Sequence, residues 1–142
     1  MKILVTGGCG YVGSVLIPAL LNEGHQLTSI DNQWFGNFLQ EHPNLKNEKI
    51  DLRDTDKIPL DNLDAVIHLA NIANDPAVEL NPSLSWDINV LASHQLIDAC
   101  ARKKIKKFIF ASSGSVYGVK KEDKVTEDLP LVPISVYNKT KM

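Results

Sequence analysis

A chain of 142 residues, 44% apolar and 23% charged, fits one folded domain with a buried core. Its formal net charge of −2 gives no electrostatic reason to expect nucleic acid or an anionic membrane as partner, and no apolar run approaches the roughly 20 residues that span a bilayer. The apolar start, Met1 to Val5, runs into Thr6-Gly7-Gly8 and is too short for a signal peptide, so cytoplasmic residence is expected, with Cys9 and Cys100 reduced.

The first predicted element is a buried strand over Lys2 to Thr6, short and rich in branched residues. Glycines follow at 7, 8, 10 and 13. A helix comes next, with Val12, Val15, Leu16, Ala19 and Leu20 as its apolar face, some bend at Pro18, and a stop at Gly24. Gln26 to Ile30 reads as the second strand, ending at Asp31. Asn32 to Asn47 is irregular, a loop with at most a short helix. Lys49 and Ile50 lead a third, short strand into Asp51, and Asp54 to Ile58 suggest one or two helical turns. Ala65 to Leu69 is a fourth strand. Asn71 to Asn81 reads as a polar loop around Asp75-Pro76. Pro82 opens a helix that runs to about Arg102 and carries Leu84, Ile88, Leu91, Leu96 and Ala99, with Leu84 and Trp86 packing on the sheet. Lys107 to Ala111 is the fifth strand, and a last helix begins near Ser135.

Strand and helix patterns alternate throughout, which argues for right-handed βαβ units. The expected class is α/β: a doubly wound parallel sheet of about five strands in the order 3-2-1-4-5, with the fifth an unprotected edge.

The segment Thr6 to Ser14 joins a predicted strand to a predicted helix, with Gly7, Gly10 and Gly13 spaced G-x-x-G-x-x-G and Tyr11 and Val12 opening the helix. Such a turn keeps side chains out of the way, so that a pyrophosphate can reach the amides of a helix N-terminus. A plain strand-to-helix turn could use the same glycines. Asp31, 18 residues beyond Gly13 at the end of the second strand, strengthens the dinucleotide reading. A carboxylate there accepts hydrogen bonds from the adenosine ribose and repels a 2′-phosphate. No Arg or Lys follows it before Leu45, so NAD is favoured over NADP. The four histidines, His25, His42, His68 and His94, show no metal-ligand spacing. His68 reads as a packing residue at a strand end. The basic run from Arg102 to Lys107 reads as a solvated helix end, which the helix dipole favours.

Further motifs carry a resemblance. Strand five ends in Ala111-Ser112-Ser113-Gly114-Ser115-Val116-Tyr117-Gly118, and Tyr137-Asn138-Lys139-Thr140-Lys141 forms Y-x-x-x-K. Between these and the glycine turn fall Asp31-Asn32, Asp51-Leu52-Arg53-Asp54, His68-Leu69-Ala70-Asn71 and Asn89. In this order, from Lys2 to Lys141, the chain resembles the extended short-chain dehydrogenase/reductase family of Rossmann-type, NAD-dependent sugar-nucleotide epimerases and dehydratases, and is most like the UDP-glucose 4-epimerase type.

The resemblance implies roles. Tyr137 would take the proton of a sugar hydroxyl while hydride leaves the same carbon for NAD. A free phenol ionises near pH 10, and an ammonium one helical turn away favours the phenolate. Lys141 would also hold the nicotinamide ribose, and Ser113 would hydrogen-bond the reacting oxygen. In isolation Tyr137 and Lys141 would read as a surface pair. Asp51 and Leu52 match the position facing the adenine. Leu69, Ala70 and Asn71 match the loop passing the pyrophosphate and ribose, although Asn71 stands where alanine is common. Ser112 is a further cofactor-binding position that the resemblance implies. Asn32, Gly36 and Asn37 resemble the loop around the adenosine. Asn89 matches a helix position near the cofactor, with a buried helix hydrogen bond an equal alternative.

Dehydratases of the family carry Thr-Asp-Glu where this chain has Ser113-Gly114-Ser115, and decarboxylases tend to carry Glu at the position of Ser115. Both reactions are therefore disfavoured. A 4-epimerase, working through a transient 4-keto sugar, is expected first and an NAD(P)H-dependent 4-ketoreductase second. A dinucleotide-binding module without turnover is the reading of another class. Residues 1–142 would be the NAD-binding domain, incomplete, with the last strands and the substrate domain beyond it. Expected partners are a nucleotide-sugar substrate and, for the full-length form, a second copy or a C-terminal fragment. Alone, the chain is expected to be unstable or inactive unless a partner covers the edge of strand five.

Overall fold

The computed structural model describes residues 1–142. Eleven segments carry the architecture: β1 (Lys2–Thr6), α1 (Tyr11–Asn22), β2 (Gln26–Asp31), β3 (Leu45–Lys49), β4 (Ala65–His68), α2 (Asp75–Leu80), α3 (Pro82–Trp86), a π stretch (Asp87–Ala92), α4 (Ser93–Arg102), β5 (Lys107–Phe110) and α5 (Val136–Lys141). Every strand pair is parallel, and the order is β3-β2-β1-β4-β5, as expected.

Successive side chains of a strand point to opposite faces, so β1 feeds two cores. Ile3 and Val5 pack with Ile17, Leu21, Leu27 and Ala65 under α1. Leu4 packs with Ile30, Val66, Ile88, Ala92 and Leu96 under the α3–α4 rod. Burying each such side chain contributes about 1.5–3 kcal/mol, and truncating the wholly buried Leu4 to Ala would cost about 2–5 kcal/mol.

The face of α1 differs from the expected one. Val12 and Val15 are exposed, and the buried positions are Gly13, Ile17 and Leu21. Gly13 sets the rotation, because a Cβ there would strike the Gly8 carbonyl. The residues four and eight positions on then face the core. The helix runs through Pro18 and ends in a Schellman pattern: Gly24, at φ +80°, donates to the Leu21 carbonyl at 2.9 Å, and the His25 amide donates to Leu20 at 3.2 Å.

Three other boundaries move. The third strand is Leu45–Lys49, not a strand beginning at Lys49, and no helix precedes it. Its polar run Lys46-Asn47-Glu48-Lys49 suits a sheet edge and hides the usual apolar signal. The loop expected over 71–81 contains α2, because the Asn74 side chain caps it by accepting from Ala77 N at 3.0 Å. In the long helical rod the π stretch takes up an extra residue and shifts the phase. Ile88, Ala92 and Leu96 face the core, Leu91 is 58% exposed, and Trp86 is 41% exposed and outside the core cluster while Leu84 packs against it.

Candidate active site

A cleft of about 710 Å³ opens at the carboxyl ends of the strands, where open parallel sheets hold ligands. The turns after β1, β2, β3, β4 and β5 all contribute to it. Of the residues anticipated from sequence, Gly7, Gly10, Tyr11, Val12, Gly13, Asp31, Asn32, Asp51, Leu52, Leu69, Ala70, Asn71, Ser112, Tyr137 and Lys141 line it. Ser113 and Asn89 do not, nor do Gly36 and Asn37 of the loop expected around the adenosine.

The glycine turn approaches the β4 loop closely. Gly7 has φ +72°, and a Cβ there would lie 2.6 Å from Ala70 N. Gly10 caps α1 without a side chain, and no acidic residue occupies the first turn. The first amides of α1 thus remain available to an anion. Asp31 has a second task. Its carboxylate accepts from Cys9 N at 3.0 Å and from Gln33 N at 2.6 Å, tying the glycine turn to the next loop. Each oxygen keeps a lone pair for a hydroxyl. The Arg53 guanidinium grips Asp51, with Nε 2.9 Å from Oδ1 and an N–H nitrogen 2.7 Å from Oδ2, and holds its carboxyl below the usual range.

At the other end, α5 has only six residues and cannot stand alone. Ser135 caps it, accepting from Asn138 N at 3.1 Å. Ser112 Oγ donates to the Lys141 carbonyl at 2.7 Å. Asn89 acts as a buried clasp: it accepts from Ile72 N at 2.7 Å and donates to Ile72 O and to Thr140 Oγ1, both at 3.1 Å. Of the two readings left open for Asn89, its visible contacts are those of the buried hydrogen bond. These bonds hold Tyr137 and Lys141 at the same cleft. Lys141 is 2% exposed, its Nζ lies 4.6 Å from the centroid of the Phe110 ring, and no carboxylate pairs with it. Burial lowers its pKa to about 8. Ser113 caps the turn Gly114–Tyr117, accepting from Ser115 N at 3.2 Å, beside the cleft rather than in its lining.

Several lining residues escaped the sequence reading. Trp34 and Phe35 form an exposed aromatic rim beside Asn32; their signal was two adjacent aromatics in an otherwise polar loop. Cys9 also lines the cleft. Burial pushes its thiol pKa up, the Asn47 amide opposes this, and the Asp31 carboxylate adds to it. Ile72, Asn74 and Ala77 join the lining because α2 forms, with Asn74 as its cap, where the sequence suggests a polar loop.

A doubly wound sheet with a glycine turn, a strand-end aspartate and a tyrosine–lysine pair at one cleft defines a fold of the Rossmann type. Residues 3–142 match the NAD dependent epimerase/dehydratase family, and the chain belongs to it. It is 36% identical over 146 aligned positions to a UDP-glucose 4-epimerase of Lactobacillus helveticus, covering 100% of this chain and 44% of that protein. It is 33% identical to a UDP-glucose 4-epimerase of Corynebacterium glutamicum, again covering 44% of it. Among solved structures, a UDP-N-acetylglucosamine 4-epimerase from Methanobrevibacter ruminantium in complex with UDP-N-acetylmuramic acid superposes with TM-score 0.90 at 37% identity, covering 99% of this chain and 46% of that one. The Thermus thermophilus UDP-glucose 4-epimerase in complex with NAD gives TM-score 0.88 at 30% identity, covering 99% and 47%. The chain spans less than half the length of these relatives.

The residues present fit NAD. The uncapped α1, the absence of side chains at Gly7 and Gly10, the free lone pairs of Asp31 and the unpaired Lys141 ammonium match its pyrophosphate and its two ribose hydroxyl pairs. No helix is long and apolar enough to cross a membrane.

Proposed function

We propose that this chain binds NAD and supplies the proton-handling pair of a nucleotide-sugar 4-epimerase. The observation that carries this reading is the meeting of Tyr137 and Lys141 with the glycine turn and Asp31 at one cleft. The names of the relatives supply the sugar-nucleotide class. Residues 1–142 are read as the NAD-binding domain, with most of the sugar pocket formed by sequence of the kind those longer relatives carry.

NAD, when bound, supplies a reversible hydride acceptor. Tyr137 Oη takes the proton of the sugar hydroxyl at the reacting carbon and returns it at the end of the cycle. The Lys141 ammonium stabilises the phenolate that Tyr137 must present and donates to the ribose hydroxyls. Ser113 donates to the reacting oxygen once its bond to Ser115 is exchanged. Asp31 accepts from the adenosine ribose, and the α1 amides hold the pyrophosphate.

Two measurements test this. Purified protein is denatured and the released NAD quantified. The chain, joined to a C-terminal half like that of its relatives, is then assayed with UDP-, dTDP- and GDP-sugars. Retained NAD with 4-epimer formation is expected. Consumption of added NAD(P)H with a 4-keto sugar would replace the epimerase with a ketoreductase, and binding without turnover would make the protein a sensor.

A further inference from the structure

His68 closes β4 directly beneath the cleft and is 1% exposed. Both of its ring nitrogens are engaged: Nδ1 lies 2.6 Å from Thr6 Oγ1, and Nε2 lies 2.8 Å from Ser93 Oγ. The neighbours set the direction of each bond. Thr6 Oγ1 accepts the Ala70 N–H at 3.2 Å, and Ser93 Oγ has the Ile88 carbonyl 3.4 Å away. A hydroxyl has one proton to donate. One pattern uses every proton. Ala70 N–H donates to Thr6, the Thr6 hydroxyl donates to Nδ1, Nε2–H donates to Ser93, and the Ser93 hydroxyl donates to Ile88. His68 is then neutral, with its proton on Nε2. Burial first, and then the Lys141 ammonium, push its pKa down to about 4, in keeping with a neutral ring. The ring also stacks on Phe110, centroids 5.7 Å apart, and Phe110 is the ring beside which the Lys141 ammonium rests.

The terminal donor of this relay is Ala70, the residue whose backbone meets Gly7 across the point where strand order reverses. We propose that His68 is a positioning residue: its bare Nδ1 orients the Thr6 hydroxyl, which fixes the Ala70 backbone against the glycine turn and so sets the width of the cleft where a pyrophosphate would enter. The inference rests on the dinucleotide reading above and deepens it. A residue that only fills space at that point would need neither a particular tautomer nor an acceptor at Nδ1.

Two substitutions separate the two sides of the ring. His68→Asn puts a side-chain oxygen near Nδ1 and keeps the acceptor for Thr6. His68→Gln puts an amide near Nε2, keeps the donor to Ser93 and loses that acceptor. With ADP as the probe and the 142-residue chain as the protein, His68→Asn is expected to bind within about twofold of the parent. His68→Gln is expected to bind about tenfold more weakly, the scale of one lost buried hydrogen bond. The Ala70 amide should exchange slowly in the parent and in His68→Asn, and fast in His68→Gln. Equal affinities in all three proteins, or equal losses that track their melting temperatures, would overturn the proposal. Should both variants fail to fold, the ¹⁵N–¹H spectrum of the parent decides: a proton on Nε2 with Nδ1 bare supports the lock, and a proton on Nδ1 or an imidazolium at pH 7 refutes it. Failure of the parent to bind ADP would sink the dinucleotide reading, while the tautomer and the Ala70 exchange rates would still judge the lock.

Discussion

Lys141 keeps an ammonium in a place that water scarcely reaches, with an aromatic ring for company and no carboxylate. Burying a charge in this way opposes folding. Its folded pKa, about 8, lies below the ordinary lysine value of 10.5, so between those values the unfolded chain binds more protons. Stability from this group is therefore complete above pH 10.5 and is lost as pH falls toward 8, by up to about 3 kcal/mol at about 1.4 kcal/mol per unit. Lys141→Met should remove this slope, leaving the melting temperature at pH 7.5 equal to or above the parent's while abolishing the proposed turnover of the chain joined to a C-terminal half. Melting curves from pH 7.5 to 10.5 check it; a parent that loses stability as pH rises through that window would contradict the burial argument. Asp31 carries a different double load, binding two backbone amides as well as the proposed ribose. Asp31→Ser should weaken NAD binding by about tenfold, one charged hydrogen bond's worth, and narrow the preference for NAD over NADP because the repulsion of a 2′-phosphate disappears. Calorimetric titration with both dinucleotides measures the ratio, and an unchanged ratio would rule Asp31 out as the discriminating group.

Among the elements, legibility followed how local the cause was. The β1 turn and the end of α1 were readable because Gly7 and Gly24 take a positive φ that side chains disfavour, and because a Cβ at Gly8 or Gly13 would collide with its neighbours. Tyr137 and Lys141 were readable only through the family resemblance, since helical spacing alone makes them no more than a surface pair one turn apart. The face of α1 was misread because the packing of Gly13 on Gly8, a contact invisible to hydropathy, outranks the valines at 12 and 15. β3 hid because a polar edge strand has no apolar period, and α2 hid because Asn74-Asp75-Pro76 signals a turn and a helix cap equally. Leu91 followed the pattern on paper and was carried outward by the π stretch. Asn89 shows the limit most clearly, since its three bonds join segments 17 and 51 residues away. Asn89→Ala should cost about 2–3 kcal/mol, because the Ile72 amide and carbonyl are left without partners, and should release α5. Urea denaturation with α5 amide exchange checks this, and a loss below about 0.5 kcal/mol would mean the clasp is dispensable.

For the molecule as a whole, the sheet ends on β5, whose Ile109 is 53% exposed, and apolar Val132 and Ile134 stand in solvent near α5. An unpaired strand edge beside apolar surface invites pairing with another chain. The 142-residue protein should therefore associate with itself as concentration rises, and Ile109→Lys should suppress this without unfolding the sheet, because a charge on an edge discourages edge-to-edge addition. Sedimentation velocity over a hundredfold range of concentration tests it; a parent that stays monomeric throughout would show that the edge is already harmless. The central place of β1 has a practical corollary. Met1 lies at the foot of the middle strand and the cleft opens at its head, a separation of roughly 15 Å for five extended residues. Anchoring the protein to a sensor chip through Met1 therefore turns the mouth of the cleft toward the flowing sample.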